Sequence, residues 1–140
     1  MSTWLPSNTI RCLAESPAPD GTRTLWIGTE AAGLVARSKG RTKVYGGSKA
    51  GGFDPRIRAL LTSTSDAGKP ILWVGTLTGL VRFDEKGWTV VSDAHGPVPN
   101  AVALCETVDG DGGRSLWAAT NKGVARLQHG EWRLYDRSQG

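Results

Sequence analysis

The 140-residue chain is long enough for one domain with a substantial core, and its 17 Lys and Arg against 13 Asp and Glu leave a formal net charge of +4. Nineteen glycines and seven prolines beside 39% hydrophobic and 21% charged residues exclude a coiled coil and a disordered chain, and describe a turn-rich, all-β protein. The basic residues are scattered through turns and strand ends with no continuous stripe, which argues against a nucleic-acid partner, and no apolar run approaches the ~18 residues of a membrane span.

In chain order, Leu5-Pro6-Ser7-Asn8 is a turn and Ile10 to Ala14 a short apolar run of strand length. Asp20-Gly21 turns the chain into Leu25 to Thr29, LWIGT, so these two strands are expected to pair as a hairpin. Gly33 breaks the chain, Leu34 to Ala36 reads as a third strand, and Thr42 to Tyr45 as a fourth. Gly46 to Gly52 is a glycine-rich connecting loop, a place where a ligand contact is conceivable because loops carry variable residues.

The same order then recurs twice. Ile57 to Leu61, Ile71 to Thr76, Leu80 to Phe83 and Trp88 to Val91 form a second set, in which Leu72 to Thr76 reads LWVGT. Val102 to Cys105, Leu116 to Thr120, Val124 to Leu127 and Trp132 to Tyr135 form a third, in which Leu116 to Thr120 reads LWAAT. Trp26, Trp73 and Trp117 are 47 and 44 residues apart, and each is followed by a Gly-Leu or Gly-Val step (Gly33, Gly79, Gly123). A period of about 40 to 50 residues with four short strands in meander order is the pattern of a propeller blade. The expected fold is therefore all-β, a β-propeller segment of three four-stranded antiparallel blades within a single domain, residues 1 to 140. The blades span about 5 to 47, 53 to 93 and 98 to 137.

A blade packs both faces against neighbours, so its inner strands should be apolar on both sides. In LWIGT, Leu25, Ile27 and Thr29 point one way, Trp26 and Gly28 the other. Trp26, Trp73 and Trp117 are expected to be equivalent buried residues at blade interfaces, with Trp73→Ala the costliest truncation because its blade has a covalent neighbour on each side. The fourth strands interleave Lys43, Thr89 and Arg133 with Tyr45, Trp88 and Trp132, as suits solvent-facing edges.

The LPSN opening, Asp-Gly turn, LWIGT strand, Gly-Leu step and closing aromatic strand together resemble the two-component regulator propeller repeat, in three copies. The first copy matches best through its opening and central strand. The second matches through Gly79-Leu80-Val81-Arg82-Phe83-Asp84, and the third is looser, with Ala118-Ala119 in place of an apolar residue and glycine. The resemblance implies a bacterial sensor-type module used in signal transduction, ahead of output domains that this chain does not contain. The motif residues are structural, so the resemblance transfers no binding site.

Candidate chemistry is sparse, and neither catalysis nor a cofactor is expected. Asp109-Gly110-Asp111-Gly112 has the alternating carboxylates of a calcium loop, but Thr120 stands where a distal bidentate Glu belongs, and a hairpin turn accounts for the pattern equally. His95 and His129 sit in turns without a second ligand at metal-binding spacing. Cys12 and Cys105 are expected as two free, buried thiols, neither with a local base. Arg82 and Arg126 recur three residues after the repeat glycine, with Arg37 one step further on in the first copy. These three arginines are the candidate ligand contacts, against the alternative that each caps carbonyls or pairs with an acid of the next blade.

The expected function is a non-catalytic binding or sensing propeller for a small molecule, glycan or protein. The alternative is a structural role in which the blades build a ring. Propellers close with about four to eight blades, so head-to-tail association of copies is expected, a six-bladed homodimer ahead of a nine-bladed trimer. No charged-then-apolar leader is present. The expected location is cytoplasmic if Met1 is the native start and extracytoplasmic if the chain is an excised sensor segment.

Overall fold

The computed structural model describes residues 4–18 and 20–139; Met1, on which the expectation about location turns, lies outside them. Among the described residues twelve strands form three four-stranded antiparallel sheets, and each sheet is one blade. Blade 1 is β1 (Ile10–Pro17), β2 (Arg23–Thr29), β3 (Leu34–Ser38) and β4 (Arg41–Tyr45). Blade 2 is β5 (Ile57–Thr64), β6 (Pro70–Thr76), β7 (Gly79–Asp84) and β8 (Gly87–Ser92), and blade 3 is β9 (Ala103–Val108), β10 (Arg114–Thr120), β11 (Gly123–Gln128) and β12 (Glu131–Tyr135). Among the described residues no helix is long and apolar enough to cross a membrane.

The repeat is legible in hydrogen bonds. The first hairpin of every blade closes with the same two backbone bonds: Ala18 N to Thr22 O and Gly21 N to Ala18 O in blade 1, matched by Ser65 to Lys69 with Gly68 to Ser65, and by Asp109 to Gly113 with Gly112 to Asp109. The threonine ending LWxGT donates its hydroxyl to the repeat glycine's carbonyl in each copy, Thr29 to Gly33, Thr76 to Gly79 and Thr120 to Gly123, which satisfies a polar group that is fully buried in blades 1 and 2. That glycine cannot carry a side chain. A Cβ at Gly33, Gly79 or Gly123 would lie 2.4, 1.9 or 2.2 Å from the carbonyl oxygen that ends the fourth strand of its blade, at Tyr45, Ser92 or Tyr135.

The first strands β1, β5 and β9 lie next to one another along the inside of the arc, and β4, β8 and β12 form the outer edges. Blades meet head to tail. The tryptophan face of blade 1 (Trp26, Leu34, with Cys12, Ala14, Ala36 and Tyr45) packs on the opposite face of blade 2 (Ile57, Leu72, Val74, Val81 and Phe83), with Phe53 and Trp88 in the same cluster. The tryptophan face of blade 2 (Trp73, Leu80) packs in turn on Leu116, Ala118 and Ala125 of blade 3, with Val98 and Ala101 of the connector.

Candidate binding clefts between the blades

Between blades 1 and 2 a cleft of about 440 Å³ opens beside Trp26. Trp26, Ile71, Leu72, Phe83, Pro17 and Pro70 make its apolar lining, while Ser16, Thr24, Lys69 and Glu85 bring polar atoms. Trp26 is only 5% exposed, and its indole Nε1 donates to Ser16 Oγ at 2.8 Å, so the hydroxyl orients the ring. Blades 2 and 3 repeat the arrangement at the same register positions. There a cleft of about 400 Å³ is lined by Trp73, Leu116 and Leu127 with Ser63, Glu106, Arg114 and His129. A third concavity, of about 330 Å³, lies at the hairpin end of the inner strands, where Glu15 and Arg23 of blade 1, Thr62 to Thr64 of blade 2 and Glu106 and Arg114 of blade 3 converge.

The three arginines singled out by their spacing are not brought to one site. Arg82 and Arg126 pair across their ladders with Trp73 and Trp117 and lie over those rings, at 5.8 and 5.2 Å. Arg82 is held by Asp84 at 3.2 Å, and Arg126 by Ser115 at 2.9 Å and Asp109 at 3.8 Å. Arg37 instead pairs with Leu25, so it points to the other face of blade 1, where it covers the Trp4 ring at 4.6 Å and donates to Thr42 at 2.7 Å. One residue of offset turns a strand side chain to the opposite face.

Trp26 and Trp73 are 5% and 6% exposed at their blade interfaces, but Trp117 is only partly buried, because none of the described blades covers its face. The same open face carries Cys105, which pairs with Trp117 and is exposed rather than buried as its sequence context suggests. Both cysteines are free. Cys12 is half-buried in the seam between blades 1 and 2, where desolvation pushes its thiol up to about 11.

Asp109 and Asp111 belong to the third hairpin turn. Asp109 accepts from Gln128 Nε2 at 2.8 Å, and Asp111 accepts from Gly113 N at 2.9 Å, so local donors occupy both carboxylates. Among the described residues no three His, Cys, Asp or Glu side chains gather into a metal-binding group. His95 is exposed in its turn, and His129 lines the cleft between blades 2 and 3. The 46–52 loop folds back on itself through Gly46 N to Ala50 O at 2.8 Å and lies on Phe53, so it serves the aromatic cluster and lines none of the clefts. Spacing alone did not single out the cleft residues. The signal that marks them is positional, since Glu15 with Arg23 and Glu106 with Arg114 recur at equivalent places in copies one and three.

No family model and no curated protein sequence matches the chain. Among solved structures it is similar to the extracellular domain of a hybrid two-component system from B. thetaiotaomicron, at a TM-score of 0.64 and 20% identity over 96% of this chain. It spans 17% of that domain's length. It is also similar to a fucose lectin from Kordia zhangzhouensis in complex with methyl-fucoside, at a TM-score of 0.54 and 12% identity, covering 89% of this chain and 97% of the lectin. At these identities the likeness is one of fold, and it places the chain among propeller-like architectures used by a sensor domain and by a lectin.

Proposed function

We propose that the chain is a non-catalytic β-propeller module of the two-component-regulator type that binds a carbohydrate in the cleft between blades 1 and 2. The observation that carries this reading is the composition of the cleft. Its volume of about 440 Å³ suits a sugar unit, the partly exposed Phe83 and Ile71 with Pro17 and Pro70 supply apolar surface for the C–H face of a pyranose over the buried Trp26, and Ser16, Thr24, Lys69 and Glu85 stand around it for hydroxyls. The sensor and lectin neighbours support the reading. Titration calorimetry against a panel of mono- and oligosaccharides, methyl-fucoside included, tests it. Saturable binding should weaken about tenfold or more in the Lys69→Ala, Glu85→Ala double variant, whose sites are exposed, with the melting temperature unchanged. A panel without saturable binding, or binding untouched by the double variant, rejects it.

A second reading, assembly of copies head to tail, is favoured by the two end faces. On the open face of blade 3, Val124 is 41% exposed beside a partly buried Trp117 and the exposed Cys105, and on the outer face of blade 1 Leu13 is 63% exposed. Two copies joined through these faces would supply six blades, inside the usual range for a closed ring. Light scattering across a concentration series should report a dimer, and a monomer at every concentration rejects the reading.

A further inference from the structure

At the hairpin end of the inner strands the seam between blades 2 and 3 carries a polar grip, whereas the seam between blades 1 and 2 is gripped at the opposite end of β5, where Arg58 Nη1 donates to the Glu30 carbonyl at 3.0 Å and Nη2 meets the Glu30 carboxylate at 3.3 Å. Ser63 donates its hydroxyl to the Glu106 carboxylate, and Arg114 Nη1 donates to the Thr64 carbonyl at 2.6 Å and to its hydroxyl at 2.7 Å. The Thr64 carbonyl is available because the neighbouring pair, Ser65 with Lys69, makes the hairpin hydrogen bond. Alternation along an antiparallel ladder then leaves the Thr64–Pro70 pair facing outward. At the seam between blades 1 and 2, the positions of Glu106 and Arg114 are held by Thr62 and Pro70, which carry neither the carboxylate nor the guanidinium.

Blade 1 carries the grip residues again. By register Glu15 stands where Glu106 does, opposite Leu25 as Glu106 is opposite Leu116, and Arg23 stands where Arg114 does. Among the described residues no blade lies against this face of blade 1, and the two side chains turn to each other at 2.9 Å, each more than half exposed. Blade 3, on its open face, carries the two receiving groups. Thr107 stands where Ser63 does and accepts from Trp117 Nε1 at 2.9 Å, which leaves its own proton to donate. The Val108 carbonyl stands where that of Thr64 does, again outward, because Asp109 makes the hairpin bond to Gly113.

We infer that Glu15 and Arg23 are an intermolecular grip. In a head-to-tail pair of copies, Glu15 of one accepts the Thr107 hydroxyl of the other and Arg23 donates to the other's Val108 carbonyl, exchanging the exposed pair within blade 1 for the contact seen between blades 2 and 3. The inference rests on the assembly reading and names its contact. A second copy is the matching occupant because donor and acceptor meet in the same order as at the internal seam, whereas blade 2, with Thr62 and Pro70, could not serve in place of blade 1.

The test is sedimentation equilibrium of the full chain and of the exchanged variant Glu15→Arg, Arg23→Glu. The exchange preserves the pair within blade 1 and so leaves the melting temperature of dilute protein unaltered. Across the seam it sets a carboxylate against the Val108 carbonyl, and self-association should weaken about tenfold or more. Thr107→Val, on the other side of the seam, should weaken association in the same direction. Wild-type association that neither variant changes overturns the grip and leaves the assembly reading standing, and a wild-type chain that stays monomeric overturns both.

Discussion

The two internal seams join the same repeat in two different ways. Between blades 1 and 2, Trp26 stands 5.8 Å from Phe83, 6.1 Å from Tyr45 and 6.2 Å from Trp88, and Trp88 stacks on Phe83 at 4.4 Å. Between blades 2 and 3 the facing residues shrink to Ala101, Ala118 and Ala125, and side-chain hydrogen bonds join the blades at the channel end. Aromatic area and the Arg58–Glu30 pair hold the first seam, while close backbone approach and hydrogen bonds at the hairpin end hold the second. The glycine of LWxGT shows the difference: a Cβ on Gly28 would strike side chains, Cys12 Sγ at 2.4 Å and Ile57 Cγ2 at 2.7 Å, whereas one on Gly75 would strike the Ala101 backbone carbonyl at 2.4 Å. Ala119, the third equivalent, faces no blade among the described residues, so nothing described there demands glycine.

The largest expected effect separates the covered tryptophans from the open one. Trp26→Ala removes the centre of the aromatic seam and should cost about 3 to 5 kcal/mol, with Trp73→Ala, expected from sequence to be the costliest, close to it but not above it because its facing residues are smaller, measured by denaturant unfolding of dilute protein. Trp117→Ala should cost about 1 kcal/mol or less under the same conditions. Equal losses at all three positions would break the distinction between internal and end faces.

Gly75→Ala comes next, at about 1 to 3 kcal/mol, since a backbone carbonyl cannot rotate out of the way. The reverse change, Ala119→Gly, should cost no more than the ~0.5 to 1 kcal/mol of glycine's extra chain entropy. A harmless Gly75→Ala would mean that the second seam is looser than its alanines imply.

Acid should loosen the first seam's connector before the second's. Burial opposes ionisation of Asp54, but hydrogen bonds from Arg56 and Thr78 outweigh it and hold the carboxyl down to about 2, below its ordinary 3.8. A depressed carboxyl stabilises fully above about pH 4, and that contribution, about 1 kcal/mol after solvent screening, is lost as pH falls toward 2. The second connector is fastened at its core by Ser92 and Val98, which do not titrate, with the Asp93 carboxylate accepting from His95 N in its exposed turn. Asp54→Asn should flatten the stability profile between pH 4 and pH 2, and an unchanged profile would remove Asp54 as the cause.

The smallest effect is chemical rather than energetic. At pH 8, iodoacetamide should modify exposed Cys105 well before Cys12, whose thiol burial pushes up to about 11. Peptide mass spectrometry reads the order, and equal rates in the folded protein would show that the first seam opens readily.

The sequence by itself determined what is local and periodic: three copies, four strands in each, the tight first hairpins, and the glycine that each fourth strand crowds. Turn chemistry and apolar runs act over a few residues, so they are written in the chain. The inner strands ran past their expected ends, β1 to Pro17 and β5 to Thr64, because polar residues at the channel mouth continue the ladder after the apolar run stops. The tertiary structure alone decided which equivalent residues behave alike. Trp26, Trp73 and Trp117 share one local setting and differ only in whether another blade lies over them. Arg37 left the set of Arg82 and Arg126 through a single step of register. Glu106 reaches across a seam while Glu15, at the same position, turns back to Arg23. Burial and partner choice depend on the neighbouring blade, and no stretch of one copy records which blade, if any, lies against it.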